Sequence, residues 1–200
     1  MIAGVREAKA DLRRRVLAIV AGMSEAEREA ESAEAVARCA AQASWQAARA
    51  VLLYAPLPGE LDIWPLAAEA MAAGKRVALP RFDAASGVYG AGWLGDLGSE
   101  VARGQFGIRE PAAHCAAVAL NLLDLILVPG VAFDVQGRRL GRGKGFYDQL
   151  LAGLRAVKCG AAFERQLVQE IPVAAHDIHM NCILTPARWV SVRDPEPVLE

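Results

Sequence analysis

The sequence predicts an α/β fold of three layers: a mainly parallel central sheet flanked by helices, Rossmann-like but without a standard dinucleotide fingerprint. Three observations carry that expectation. Short apolar runs bounded by glycine or proline alternate with segments of helical length throughout the chain. Two of these runs, RAVLLYAPL and KRVALP, bracket the helical segment DIWPLAAEAMAAG and make a strand-helix-strand unit. The most apolar run, LLDLILVPG, is followed by a glycine-rich loop and then by a further helix.

Taken in order, the first element is an amphipathic helix from Val5 to Val20, with Val5, Ala8, Leu12, Val16 and Ile19 recurring at helical spacing. Lys9, Arg13 and Arg6 lie beside that stripe, where core meets surface, whereas Arg14 and Arg15 point away. Ser24 followed by Glu27 is a capping box that starts a second, alanine-rich helix. In the strand-helix-strand unit, Asp62 is the expected N-cap, Pro65 falls in the first turn and Gly74 closes the helix. VYGAGWL is a further strand candidate, VARGQFGIREP is expected as loop, and DQLLAGL is the helix after the glycine-rich segment. VKCGAAF, CILTP and RWVSV supply the closing strands.

The 200 residues suffice for a full hydrophobic core and fit one domain, 1–200. With 54% hydrophobic and 22% charged residues the chain is neither disordered nor fibrous in type. A net charge of -1 excludes binding to nucleic acid or anionic membrane through the whole surface, so any basic site is local. Cys39, Cys115, Cys159 and Cys182 form no C-x-x-C pair, and buried free thiols are expected rather than a zinc or redox motif. His176 and His179 form H-x-x-H with no third histidine or cysteine nearby to complete a zinc set, and read as surface residues. No run approaches the roughly 20 apolar residues that span a bilayer, and the N-terminus carries charges where a signal peptide needs an apolar core. A cytoplasmic location is expected.

The chemistry concentrates in RRLGRGKGFYD, residues 138 to 148. Gly141, Gly143 and Gly145 alternate with Arg142, Lys144 and Phe146. Glycine lets backbone N–H groups approach a phosphate, the following helix start adds unpaired donors, and the cations add full charge. The segment fits neither the P-loop, because Gly145 follows Lys144, nor G-x-G-x-x-G, because the spacing differs.

These residues also resemble a known family. VPGVAFDVQGRRLGRGKGFYD is similar to the hallmark of the 5-formyltetrahydrofolate cyclo-ligases, also called methenyltetrahydrofolate synthetases. The resemblance extends to Lys9 and Arg13, to YAPLPGELD, GKRVALPR, FGIREP and AFERQLV, and to the HD pair at 176–177. It implies an ATP- and Mg²⁺-dependent ring closure of 5-formyltetrahydrofolate to 5,10-methenyltetrahydrofolate, releasing ADP and phosphate. The γ-phosphoryl group would pass to the poorly leaving formamide oxygen, and the neighbouring folate nitrogen would then attack the activated carbon.

By the same resemblance Lys9, Arg13 and the stretch Arg139, Leu140, Gly141, Arg142, Gly143, Lys144, Gly145, Phe146 and Tyr147 match ATP-binding positions. Arg142, Lys144 and Tyr147 are the expected catalytic set. Ala55, Glu60 and the positions from Arg142 to Phe146 match folate contacts, a carboxylate at Glu60 suiting the donor N–H groups of a pterin. Asp148 and Asp177 match magnesium ligands. Phe146 stands where the first tyrosine of a pair is usual, keeping the aromatic face without its hydroxyl. Ile63 stands where threonine is common, a departure on the folate side of the resemblance. A monomer acting on small molecules, with no nucleic-acid or membrane partner, follows. From the residues alone, a non-catalytic nucleotide-, phosphate- or RNA-binding module stays open, as does an enzyme of the sugar-phosphate isomerase or CoA-transferase type.

Overall fold

The computed structural model describes residues 2–83, 87–104, 107–174 and 177–192. Its elements are, in order, α1 (Ile2–Ala21), α2 (Glu25–Ala40), α3 (Ala43–Ala47), β1 (Ala50–Leu52), α4 (Pro65–Ala72), β2 (Arg76–Asp83), β3 (Val88–Leu94), β4 (Val101–Arg103), β5 (Arg109–Pro111), β6 (Leu125–Pro129), β7 (Ala132–Phe133), β8 (Arg139–Leu140), α5 (Phe146–Leu151), β9 (Val157–Ala161), β10 (Cys182–Leu184) and β11 (Trp189–Ser191). Seven strands form one sheet in the order β11-β10-β9-β6-β1-β2-β3. Its inner pairings are parallel, and only the edge strands β3 and β11 run antiparallel to their neighbours.

Both faces of this sheet are covered, which is why its strands read as continuous apolar runs rather than as alternation. Val51, Leu53, Leu125 and Leu127 pack with Leu12 and Val16 of α1, Cys39 of α2 and Leu66 of α4. The intervening residues Leu52, Ile126 and Val128 pack on the opposite side with Leu150 and Leu151 of α5 and with Met180. The three-layer expectation is met. The cysteines are buried and unpaired, as expected, and burial pushes the Cys39 thiol up to about 12.

The capping box is present: Ser24 Oγ accepts the Glu27 N–H, and the Glu27 carboxylate accepts the Ser24 N–H. Other local expectations change. Val20, not Ile19, completes the buried face of α1, and Ile19 is 50% exposed. At 100° per residue Val20 lies within about 20° of Lys9, whereas Ile19 is about 80° away, so the roll that buries Val20 also turns Lys9 inward. Asp62 does not cap α4; Trp64 holds the N-cap position, and the Asp62 carboxylate accepts the Trp64 N–H in a turn just before it.

VARGQFGIREP is not simply loop. Its ends pair as the hairpin β4–β5, whose strands of three residues are too short to show periodicity. A second hairpin, β7–β8, separates β6 from the glycine-rich segment, which therefore does not leave the central sheet directly. RAVLLYAPL contributes only Ala50–Leu52 as strand, because the following residues turn away at the sheet's end. α5 begins at Phe146, two residues before the expected DQLLAGL. His179 is exposed, while His176 lies outside the described residues.

Candidate active site

The chain leaves β1 and builds β2 on one side, then returns to place β6 on the other. This reversal of strand order makes a switch point at the carboxyl ends of β1 and β6, and in open α/β sheets the crevice at such a point is where ligands bind. From β1 it receives Ala55 and Glu60. The buried Tyr54 hydroxyl donates to the Leu61 carbonyl at 2.8 Å and closes this exit loop. The Leu57 N–H donates to Glu60 Oε2 at 3.1 Å, leaving Glu60 Oε1 to accept from Arg142 Nε and Nη2 at 3.1 and 3.0 Å. Ala55 is buried at the start of this loop.

From β6 the crevice receives the glycine-rich segment, carried on β7–β8. That hairpin is anchored by Asp134, which is fully buried. Its Oδ1 accepts the Gln136 and Arg138 N–H groups at 3.1 and 3.0 Å, and its Oδ2 accepts the Ile171 N–H at 3.0 Å. Gly137 turns the hairpin at φ +81, where a Cβ would lie 2.4 Å from the Met180 carbonyl oxygen, so a side chain is excluded by both conformation and space. Buried Gln166 donates to the Gly130 and Val131 carbonyls, each at 3.0 Å, and fixes the start of the excursion.

Beyond β8, Arg139 Nη2 donates to Asp148 Oδ1 at 2.9 Å, and its guanidinium lies 5.6 Å from the Tyr147 ring centre. Arg139 Nε is buried with no hydrogen-bond partner among the described residues. Burial, reinforced by the nearby Glu60 carboxylate, holds the Tyr147 phenol well above its ordinary pKa, so it is a proton donor and not a base. Leu140 differs from its neighbours: its side chain is part of the core. Gly143 and Gly145 adopt positive φ, the latter immediately before α5.

The N-terminal helix closes the crevice from a distance in sequence. Lys9 Nζ pairs with Asp177 Oδ2, both side chains being largely buried. One turn later Arg13 Nε donates to the Gly141 carbonyl at 2.8 Å. Arg14 and Arg15 point to solvent, as their helical phase requires. α1 and the glycine-rich loop thus meet.

The expected residues fall into three contacting groups: Lys9, Arg13, Gly141 and Asp177; Arg139, Tyr147 and Asp148; and Glu60 with Arg142. Lys144 is exposed, with Nζ 5.7 Å from the Phe146 ring centre. Phe146 is itself in an aromatic group, 4.5 Å from Tyr89 and 6.4 Å from Phe82 between ring centres. Ile63 is fully buried in the core that α1, α2 and α4 form with the sheet.

Sequence reasoning missed Asp134 and Gln166, which touch backbone rather than any expected ligand position, and missed Phe82 and Tyr89. The D-x-x-G spacing from Asp134 to Gly137 was the available signal for the hairpin. The aromatic group had none, because Phe82 and Tyr89 meet Phe146 only through the pairing of β2 with β3.

Paired side chains of both charges, gathered at the switch point of a parallel sheet, define an α/β protein with a candidate small-molecule site there. Residues 5–186 match the model of the 5-formyltetrahydrofolate cyclo-ligase family. The Escherichia coli K12 5-formyltetrahydrofolate cyclo-ligase is 37% identical over 149 residues, covering 70% of this chain and 80% of that protein. The Mycolicibacterium smegmatis 5-formyltetrahydrofolate cyclo-ligase is 36% identical over 147 residues, covering 71% of this chain and 76% of that one. The NMR structure of Aquifex aeolicus 5,10-methenyltetrahydrofolate synthetase superposes with a TM-score of 0.85 at 32% identity, covering 96% of each chain. The chain belongs to the 5-formyltetrahydrofolate cyclo-ligase family and is a ligase.

Proposed function

We propose that this chain, acting as one monomeric domain in the cytoplasm, closes 5-formyltetrahydrofolate to 5,10-methenyltetrahydrofolate with consumption of ATP and release of ADP and phosphate. The observation that carries the reading is the meeting of α1 with the glycine-rich loop at the switch point, through Arg13 and Gly141. Two cations from the first helix and three from the loop region surround one crevice, as a polyphosphate requires.

In this reading Lys9, Arg13, Arg139, Arg142 and Lys144, with the backbone of residues 140–147, take the ATP phosphates. Arg142, Lys144 and Tyr147 lie nearest the reacting groups. Arg142 and Lys144 neutralise charge on the phosphoryl group as it reaches the formyl oxygen, and the protonated Tyr147 phenol offers a hydrogen bond there. Glu60 accepts from the pterin N–H groups, and Ala55 and Phe146 present apolar surface to the folate. Attack by the folate nitrogen then closes the ring and expels phosphate.

Asp148 and Asp177 suit Mg²⁺ by donor chemistry, since hard carboxylate oxygens together with phosphate oxygens and water make its usual shell. When bound, that ion supplies further charge neutralisation for the phosphates. Each acid now rests against a cation, Arg139 or Lys9, and those cations are the groups the phosphates would engage. Binding of ATP with its metal can therefore exchange partners without leaving a charge uncompensated.

The test is optical. Protein mixed with 5-formyltetrahydrofolate and Mg·ATP is expected to generate the near-ultraviolet absorbance of the methenyl product. The signal should require all three components, and an absence of ATP-dependent signal would sink the proposal.

A further inference from the structure

Away from the crevice, three side chains with ligand chemistry converge at the base of the β4–β5 hairpin. Glu100 precedes β4, and His114 and Cys115 follow β5. One donor atom from each, a carboxylate oxygen, an imidazole nitrogen and the thiol sulfur, all lie within 4.8 Å of one another. We propose that this group is a binding site for one zinc-class transition-metal ion, which clips the two ends of the hairpin together.

The donor set selects the metal. A sulfur and an imidazole nitrogen are poor ligands for Mg²⁺ and good ones for Zn²⁺ or Co²⁺, and a single carboxylate completes a three-ligand set with a fourth position for water. Tetrahedral bonds of about 2.0 to 2.3 Å place donors about 3.5 Å apart, so closure needs side-chain movement of about an ångström.

The two ends of the hairpin are held together before any ion arrives. The Glu100 carbonyl accepts the Ala112 N–H at 2.8 Å, and the Cys115 N–H donates to the Ala112 carbonyl at 2.9 Å, which fixes the two ends of the hairpin against each other. Cys115 Sγ donates to the Glu100 carbonyl at 3.6 Å, a contact the thiolate gives up when it turns to the ion. Glu100 Oε2 accepts from the Gly95 and Asp96 N–H groups, orienting the carboxylate as outer hydrogen bonds orient metal ligands generally. Arg81 Nη1 donates to the Cys115 carbonyl at 2.9 Å and secures the far side. Cys115 is buried while His114 is exposed, so the imidazole forms the entry side. Binding converts the thiol to a thiolate and releases its proton to solvent.

No motif spacing announces this site, because Glu100 and Cys115 are joined only by the fold of the hairpin between them. It is also independent of the ligase reaction. Co²⁺ titration of the full chain is the test. One equivalent is expected to bind with a near-ultraviolet sulfur-to-cobalt charge-transfer band, to be displaced by Zn²⁺ and to persist in excess Mg²⁺. Cys115→Ser should abolish the band, and His114→Ala, at an exposed position that the fold does not depend on, should weaken Co²⁺ affinity at least about tenfold. Failure of the native chain to give the band overturns the proposal, as does an unchanged titration in either variant.

Discussion

The two ends of the central strands treat charge differently. At the amino ends, charged side chains are committed to backbone. Asp124 Oδ2 accepts the Arg49 and Ala50 N–H groups at 2.8 and 2.9 Å, tying the start of β1 to the residue before β6. Lys75 Nζ donates to the Gln46 and Ala48 carbonyls at 3.0 and 2.7 Å. At the carboxyl ends three cations meet opposite charge, Lys9 with Asp177, Arg139 with Asp148, and Arg142 with Glu60, while Arg13 binds the Gly141 carbonyl. Removing a backbone-bound charge leaves peptide groups unsatisfied and costs stability. An ion pair can instead be re-partnered by a ligand that brings both phosphate and metal. On the proposed function, the same residue types serve as scaffold at one end and as a binding surface at the other.

Four substitutions sharpen or break that contrast, in falling order of effect. Lys144→Ala should lower kcat/KM on the order of 100-fold, the loss typical of one preorganised group facing developing charge. Unfolding curves should be unchanged, since Lys144 is exposed on the loop. Glu60→Gln should raise KM for folate about tenfold, equivalent to one charge-assisted hydrogen bond, with a smaller effect on ATP affinity. Steady-state titration of each substrate separates the two. Asp124→Ala at the opposite end should cost about 1 kcal/mol of stability through its two orphaned backbone N–H groups, measured by denaturant unfolding, with kcat unchanged. A fall in kcat there would remove the distinction between the ends. Phe146→Tyr should change KM by less than about twofold, because the aromatic packing survives and only a hydroxyl is added.

How much of this was legible in sequence follows from the range of the interactions. The α/β class, the capping box at Ser24 and the apolar strands could be read because each depends on neighbours a few residues apart. The glycine-rich segment was legible as a candidate anion site by composition, and the resemblance named Lys9, Arg13 and Asp177, which the fold brings to one another and to Gly141. The roll of α1 was not legible: Ile19 and Val20 are equally apolar, and the choice between them is made by Lys9 and Arg13 docking onto residues far along the chain. The hairpins β4–β5 and β7–β8 escaped because strands of two or three residues carry no period. Gln166 and the Asp134 contact to Ile171 escaped because their backbone partners lie more than 30 residues away; the Asp134 pairing with Arg138 is local but marks no ligand position.

The claim on which the rest depends is that α1 and the glycine-rich loop form one nucleotide site. Calorimetric titration of Mg·ATP into Arg13→Gln and native protein tests it directly. The expected result is at least about a tenfold loss of affinity, as for a charge-assisted contact to phosphate, measured on protein that the unfolding curve shows to be folded. Equal affinity in the two proteins would contradict the account, because Arg13 would then join helix to loop without meeting the nucleotide.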